Sequence, residues 1–154
     1  QIALHTATHD YAQIYSSKEA YFADLTAIHD RVLQVTGVDA RVVRFPGGSS
    51  NTISANYSTG IMTQLAQALP QHGYRYLDWN VDSEDGAGVT DHDTLLANLE
   101  SETKAGRANV VLMHDTHPTS ADVLREYIAW CREQGYEFAV VDMANPQVHH
   151  PINN

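Results

Sequence analysis

Short apolar runs alternate along this chain with stretches whose apolar residues recur at helical spacing. Ile2-Ala3-Leu4 reads as the end of a strand and Arg41-Val42-Val43 as the next. Tyr74 to Leu77 reads as a third, and Phe138 to Val141 as the last. Val110-Val111-Leu112-Met113, lying between those two, is continuous and predicts a strand buried on both faces. The first helical pattern runs through Tyr21, Leu25, Ile28, Val32 and Val35, with a capping box at Ser16 and Glu19 before it and Gly37 after it. A second helix is expected from about Ser58 to Leu69, ended by Pro70. Leu95, Leu96 and Leu99 mark a third, capped by Thr90 or Asp91 and closed by Gly106. Val123, Tyr127, Ile128 and Cys131 mark a fourth, capped by Thr119 and Asp122. About five strands alternating with four helices predict parallel strands joined by right-handed crossovers, in an open sheet or a (β/α) barrel.

Polar residues of catalytic type cluster where these strands end. His5 follows the first, Arg44 the second, Asp78-Trp79 the third and His114-Asp115 the fourth. Ligands of parallel α/β folds bind at that end, so one shared active face is expected. The 154 residues are the size of one folding domain, and 145–154, rich in Pro and Asn, read as a surface tail. Nine Lys and Arg against nineteen Asp and Glu leave a charge of −10, which argues against nucleic acid as a partner. No window is apolar enough for a membrane span. The lone Cys131 excludes an internal disulfide framework and a cysteine-rich zinc site, and is expected as a buried core thiol.

The strongest chemical signal is His5-Thr6-Ala7-Thr8-His9, two imidazoles that can face one metal ion, with the Thr6 hydroxyl able to hold the loop between them, although in a chain of nine histidines the spacing alone can equally arise by chance. Two histidines bind weakly alone; a hydrolytic site needs a third protein ligand, commonly a carboxylate, and Asp10, Asp78 and Asp115 are candidates. Arg44-Phe45-Pro46-Gly47-Gly48 places a guanidinium at a strand end, then a bare backbone whose Gly47 N–H can serve an oxyanion; taken alone, the segment reads more simply as a turn with a surface arginine. No G-x-S-x-G elbow surrounds Ser49 and Ser50, which read as turn or cap residues. Asp78, Asp82, Glu84 and Asp85 surround Trp79, a pattern that is usually a solvated loop. Of the remaining histidines, His29, His72 and His92 read as surface or helix residues, His117 as a decoy or a rim contact, and His149 and His150 as part of the tail, able to take up adventitious metal.

Taken in order, these motifs resemble the polysaccharide deacetylases of carbohydrate esterase family 4, the NodB-homology domain, across nearly the whole chain. His5-Thr-Ala-Thr-His9 is similar to the family's H-[ST]-x-x-H motif and Arg44-Phe-Pro to its R-x-P motif. Trp79 to Asp85 is similar to its tryptophan-acid motif, and Leu112-Met-His114 to its L-x-H motif. The resemblance implies a distorted (β/α) barrel over 1–144 and a metal-dependent hydrolase that removes N-acetyl groups from amino-sugar polysaccharide such as peptidoglycan or chitin. It implies His5 and His9 as ligands of a divalent metal, most often Zn2+ and in some members Co2+, Ni2+ or Mn2+. Gly47 would supply the oxyanion N–H, at a place where many members carry an aromatic residue. Arg44 would steady the catalytic base, Leu112 line the acetyl-methyl pocket and Trp79 form a groove wall. His114 would be the general acid and Asp85 its charged partner. An N-acetylated glycan partner and an extracellular or cell-envelope location follow from the same resemblance. An O-acetyl xylan esterase and a non-catalytic carbohydrate-binding remnant are the alternatives.

The family's first motif, a Thr-Phe-Asp-Asp stretch that supplies the base and a third metal ligand, does not occur in this sequence. With Gln1 leading straight into an apolar run, the chain reads as an N-terminally truncated domain. It is expected to need a missing N-terminal segment or a swapped partner chain for activity.

Overall fold

The computed structural model describes residues 1–141, 144 and 147–154. They form two compact units, one of Gln1–Asp78 with Val141–Asn154 and one of Trp79–Val140.

In the first unit, a short helix α1 (Tyr11–Ile14) precedes the long α2 (Lys18–Thr36). The N-cap of α2 is Ser17, one residue beyond the expected Ser16, and its hydroxyl accepts from Ala20 N. Ser16 instead donates to Gln13 O, at the end of α1. Gly37 stops α2 in the left-handed conformation at φ 72°, its N–H donating to Leu33 O. Strand β1 (Val42–Val43) pairs in parallel with β2 (Arg75–Tyr76), Val42 opposite Arg75. The expected first strand shrinks to one bridge between Leu4 and Val43. Helix α3 (Ile61–Ala68) starts later than expected, because Gly60 at φ 78° stands immediately before it. Pro70 does not simply end the helix; it occupies the first turn of a 3₁₀ segment, Leu69–His72, where its missing N–H costs nothing. Leu4, Tyr15, Tyr21, Leu25, Val43, Phe45, Ile61 and Leu65 are buried in this unit's core.

Residues 147–154 belong to the same unit and are held by it. His149 stacks on Tyr76 with ring centroids 4.0 Å apart and donates from Nε2 to Tyr76 O. Ile152 packs on the core, and Asn154 takes the N–H of Gly60 and the hydroxyl of Thr63. The boundary expected between 144 and 145 falls at Asn145, which lies outside the described residues.

The second unit contains β3 (Val81–Asp82), α4 (His92–Glu102), β4 (Val111–Leu112) and α5 (Pro118–Glu133). Strand β3, hidden in the acidic run, pairs in parallel with β4. Asp91 caps α4 by accepting from Thr94 N. The helix ends at Glu102, before Gly106, with the Thr103 hydroxyl returning to Leu99 O. Helix α5 opens on Pro118, not on caps from Thr119 and Asp122. Val81, Leu95, Leu99, Val123, Tyr127 and Cys131 form the core, so the thiol is buried as expected.

Two expectations fail here. Val110 to Met113 is half-buried, with Val111 and Met113 packed on the core, so the continuous apolar run is not covered on both faces. Phe138 to Val141 forms no strand, and Phe138 and Val140 are exposed. Among the described residues the parallel strands form two pairs, and no closed sheet is present.

Candidate active site

The histidine loop is built on strained backbone. Thr6 and His9 both take positive φ, 63° and 55°, a conformation that costs non-glycine residues roughly 1–3 kcal/mol each and persists only where surroundings enforce it. Two side chains enforce it. The buried Thr6 hydroxyl donates to His5 O at 2.6 Å and accepts from His9 N at 3.3 Å, tying the two histidines together. Asp24 of α2 accepts from Ala7 N, Thr8 N and the Thr8 hydroxyl at 2.5, 3.1 and 2.7 Å. The imidazoles end with ring centroids 5.0 Å apart. His5 Nδ1 lies 2.8 Å from Arg44 O. A carbonyl only accepts, so Nδ1 carries the proton and Nε2 keeps the lone pair that a metal requires. The donor chemistry at His5 thus fits a metal ligand. Among the described residues, however, no third His, Cys, Asp or Glu completes a metal-holding group. Asp10 caps α1 through Ala12 N, and Asp78 is engaged elsewhere.

The loop after β1 carries Arg44 to Gly48. Arg44 N donates to Leu4 O, so the backbone that presents the guanidinium also carries the carbonyl that orients His5. The buried Tyr15 donates its hydroxyl to Pro46 O at 2.7 Å. Burial, with Tyr11 and Asp78 nearby, pushes the Tyr15 phenol far above its ordinary value, so it remains a neutral donor. Gly47 is exposed at φ 75° and Gly48 follows at φ 76°. Ser49 and Ser50 lie in a turn, as expected, and cap no helix. The fully buried Asp78 carboxylate accepts from Ser49 N at 2.8 Å, the Ser49 hydroxyl at 2.5 Å and His150 N at 2.8 Å. Ser50 Oγ meets His150 Nδ1 at 3.0 Å. His150, half-buried, is therefore tied to the buried Asp78 and does not stand off in a surface tail. His29 is a helix residue, one of the two expected placements, and lies buried in α2 with its ring nitrogens against Asp30 and Asp39.

In the second unit the acidic loop is not simply solvated. Asp85 is 1% exposed and faces His114, with Oδ1 2.7 Å from Nδ1 and Oδ2 accepting from His114 N at 2.7 Å. The Ser120 hydroxyl donates to the same Oδ2 at 2.7 Å, and Asp85 N donates to Ser83 Oγ. Burial raises the Asp85 carboxyl, but the hydrogen bonds from His114, Ser120 and Ser83 outweigh it and bring the group down to about 2. An ionised carboxylate only accepts, so His114 Nδ1 holds a proton and Nε2 is the nitrogen left for exchange. Trp79 Nε1 donates to Asp82 Oδ2 at 3.0 Å, which orients the indole, and Leu112 lies in β4.

Sequence reasoning missed four contributors: Tyr11 beside His9, Asp24 under the histidine loop, Ser120 on Asp85, and Gly86 under His114. Only Ser120 had a local signal, the Pro118-Thr119-Ser120 helix start, and that signal suggests capping.

No protein-family model matches the chain. In solved structures it is 39% identical to the catalytic domain of a peptidoglycan N-acetylglucosamine deacetylase from Eubacterium rectale, with TM-score 0.96, covering 100% of this chain and 70% of that one. The polysaccharide deacetylase Bc1974 of Bacillus cereus follows the same fold at TM-score 0.77 and 24% identity, covering 98% and 69%. Among curated proteins it is 29% identical to YheN of Bacillus subtilis, named as a candidate polysaccharide deacetylase, over 96% of this chain and 51% of that one. The chain spans about half the length of the leading curated relatives it matches. It belongs to the polysaccharide deacetylases of carbohydrate esterase family 4. A structural neighbour at TM-score 0.63 and 20% identity is described as a pseudoenzyme of that family from Bacillus anthracis.

Proposed function

We propose that this chain carries the machinery of a metal-dependent hydrolase removing N-acetyl groups from an amino-sugar polysaccharide of the cell envelope, of peptidoglycan or chitin type. The observation that carries the reading is the dyad of Asp85 and His114, 2.7 Å apart, with the carboxylate ionised and the imidazole tautomer set. Such a pair holds a proton on Nδ1 and presents Nε2 to a leaving amine, the task of a general acid. His5 and His9 would hold the divalent metal, Zn2+ or a similar ion. When bound, that ion polarises the acetyl carbonyl and lowers the pKa of water. Gly47 N–H would take the developing oxyanion, and Arg44 would orient the base. Leu112 would meet the acetyl methyl and Trp79 would wall the sugar groove. In this reading the two parallel strand pairs belong to a distorted (β/α) barrel.

A second reading, a glycan-binding domain without turnover, is favoured by the lack of a third ligand with His5 and His9 among the described residues. The test is release of acetate from chitotetraose and from peptidoglycan by the full chain, with added Zn2+ and with chelator. Chelator-sensitive release, lost in His5→Ala and in His114→Ala, with metal retained by the latter, supports the enzyme. Sugar binding that survives chelator without acetate release supports the binding domain. Acetylated xylan in the same panel separates an O-acetyl esterase.

A further inference from the structure

We propose that the Tyr11 hydroxyl contacts the substrate, donating beside Gly47 N–H to the acyl oxygen of the bound acetamido group; this rests on the deacetylase reading. Tyr11 opens α1 two residues after His9. Its ring is held on two sides, by the edge of His9 at 5.7 Å and by Tyr15 at 5.4 Å, both near-perpendicular at 70°. Tyr15 in turn anchors Pro46 O, so ring and glycine loop share one support. The hydroxyl reaches the bare face of Gly47: a Cβ built there would lie 2.6 Å from Tyr11 Oη. A side chain at 47 would push the phenol out of this position, so the phenol and the glycine are a matched pair. Among the described residues neither the Tyr11 hydroxyl nor Gly47 N–H has a hydrogen-bond partner. Two unengaged donors thus stand together next to the histidine loop.

The chemistry needs donors of this kind. A water oxygen bonds to the acetyl carbonyl carbon while the C=O π pair moves onto oxygen. The attacking water gives up a proton; the pair on oxygen then re-forms C=O, the C–N bond breaks with its bonding pair going to nitrogen, and nitrogen takes a proton, giving acetate and a free amine. A neutral O–H donor holds the carbonyl weakly and the oxyanion strongly, so its effect appears chiefly in turnover.

The test is Tyr11→Phe in the full chain, which keeps the ring contacts. Turnover of chitotetraose should fall about 10- to 100-fold in kcat/KM, mostly in kcat. Calorimetry should show affinity for chitotetraose reduced several-fold, and affinity for the glucosamine tetramer, which lacks the acyl oxygen, unchanged. Equal loss for both sugars means a packing role and overturns the proposal, as does unchanged behaviour toward both. A wild-type chain that binds chitotetraose without releasing acetate removes the deacetylase reading, and with it the proposal. Wild-type turnover matched by Tyr11→Phe removes the Tyr11 role alone.

Discussion

Substituting Gly86 by alanine tests the geometry of the dyad with a single methyl group. A Cβ on Gly86 would sit 2.5 Å from His114 Cε1, 3.1 Å from Nδ1 and 3.3 Å from Nε2. Carbon atoms in contact settle at about 3.5–4 Å, so ring or turn must give by roughly 1 Å. The bond from His114 Nδ1 to Asp85 is 2.7 Å long, and a displacement of that size carries it past the limit of a useful hydrogen bond. A hydrogen bond to a charged group contributes about 1.5–3 kcal/mol. On the proposed deacetylase reading, its loss in the transition state slows turnover about 10- to 100-fold. The assay is kcat/KM for chitotetraose on the full chain, alongside the ring-nitrogen resonances of His114, which report its tautomer whether or not the protein turns over. Asp85 is buried and its bond to His114 helps to hold it, so the melting temperature should fall by several degrees. A Gly86→Ala protein whose His114 resonances and kcat/KM stay within twofold of wild type would refute the reasoning.

Acid stability offers a check on Asp85. Its folded value of about 2 lies below the ordinary 3.8, so the ionised group stabilises the fold above pH ~4, and that contribution disappears as pH falls through 2. The depression corresponds to ~2 kcal/mol, and urea unfolding should show the gap between wild type and Asp85→Asn narrowing by about that much from pH 5 to pH 2; a constant gap contradicts it. Asp78→Ala leaves the N–H groups of Ser49 and His150 without their acceptor, at a cost of about 2–4 kcal/mol. Hydrogen exchange over 147–154 should accelerate well beyond the rest of the first unit, and uniform protection would show that Asp78 does not hold that segment.

Local chemistry was legible in the residues themselves. The spacing of His5 and His9, the role of Thr6 between them, the α4 cap at Asp91 and the stop at Gly37 all depend on groups within a few residues of one another, so pattern alone reaches them. The order of the motifs was enough to point to the family. Strand ends and exposure were not legible, because pairing and coverage depend on distant partners: Val110 to Met113 has the composition of a doubly covered strand and is only half-buried.

Only tertiary structure decided which of the clustered acids does what. Asp78, Asp82, Glu84 and Asp85 are chemically alike, yet Asp85 meets His114 across 29 residues and Ser120 across 35. Asp78 meets His150 across 72. Asp82 turns back to Trp79, three residues away. The same holds for Tyr11, whose hydroxyl acquires meaning only when folding brings the bare face of Gly47 against it. Residue type and spacing determine what chemistry a chain can perform. Packing, which excludes water from some carboxylates and gives donors to others, selects the groups that perform it.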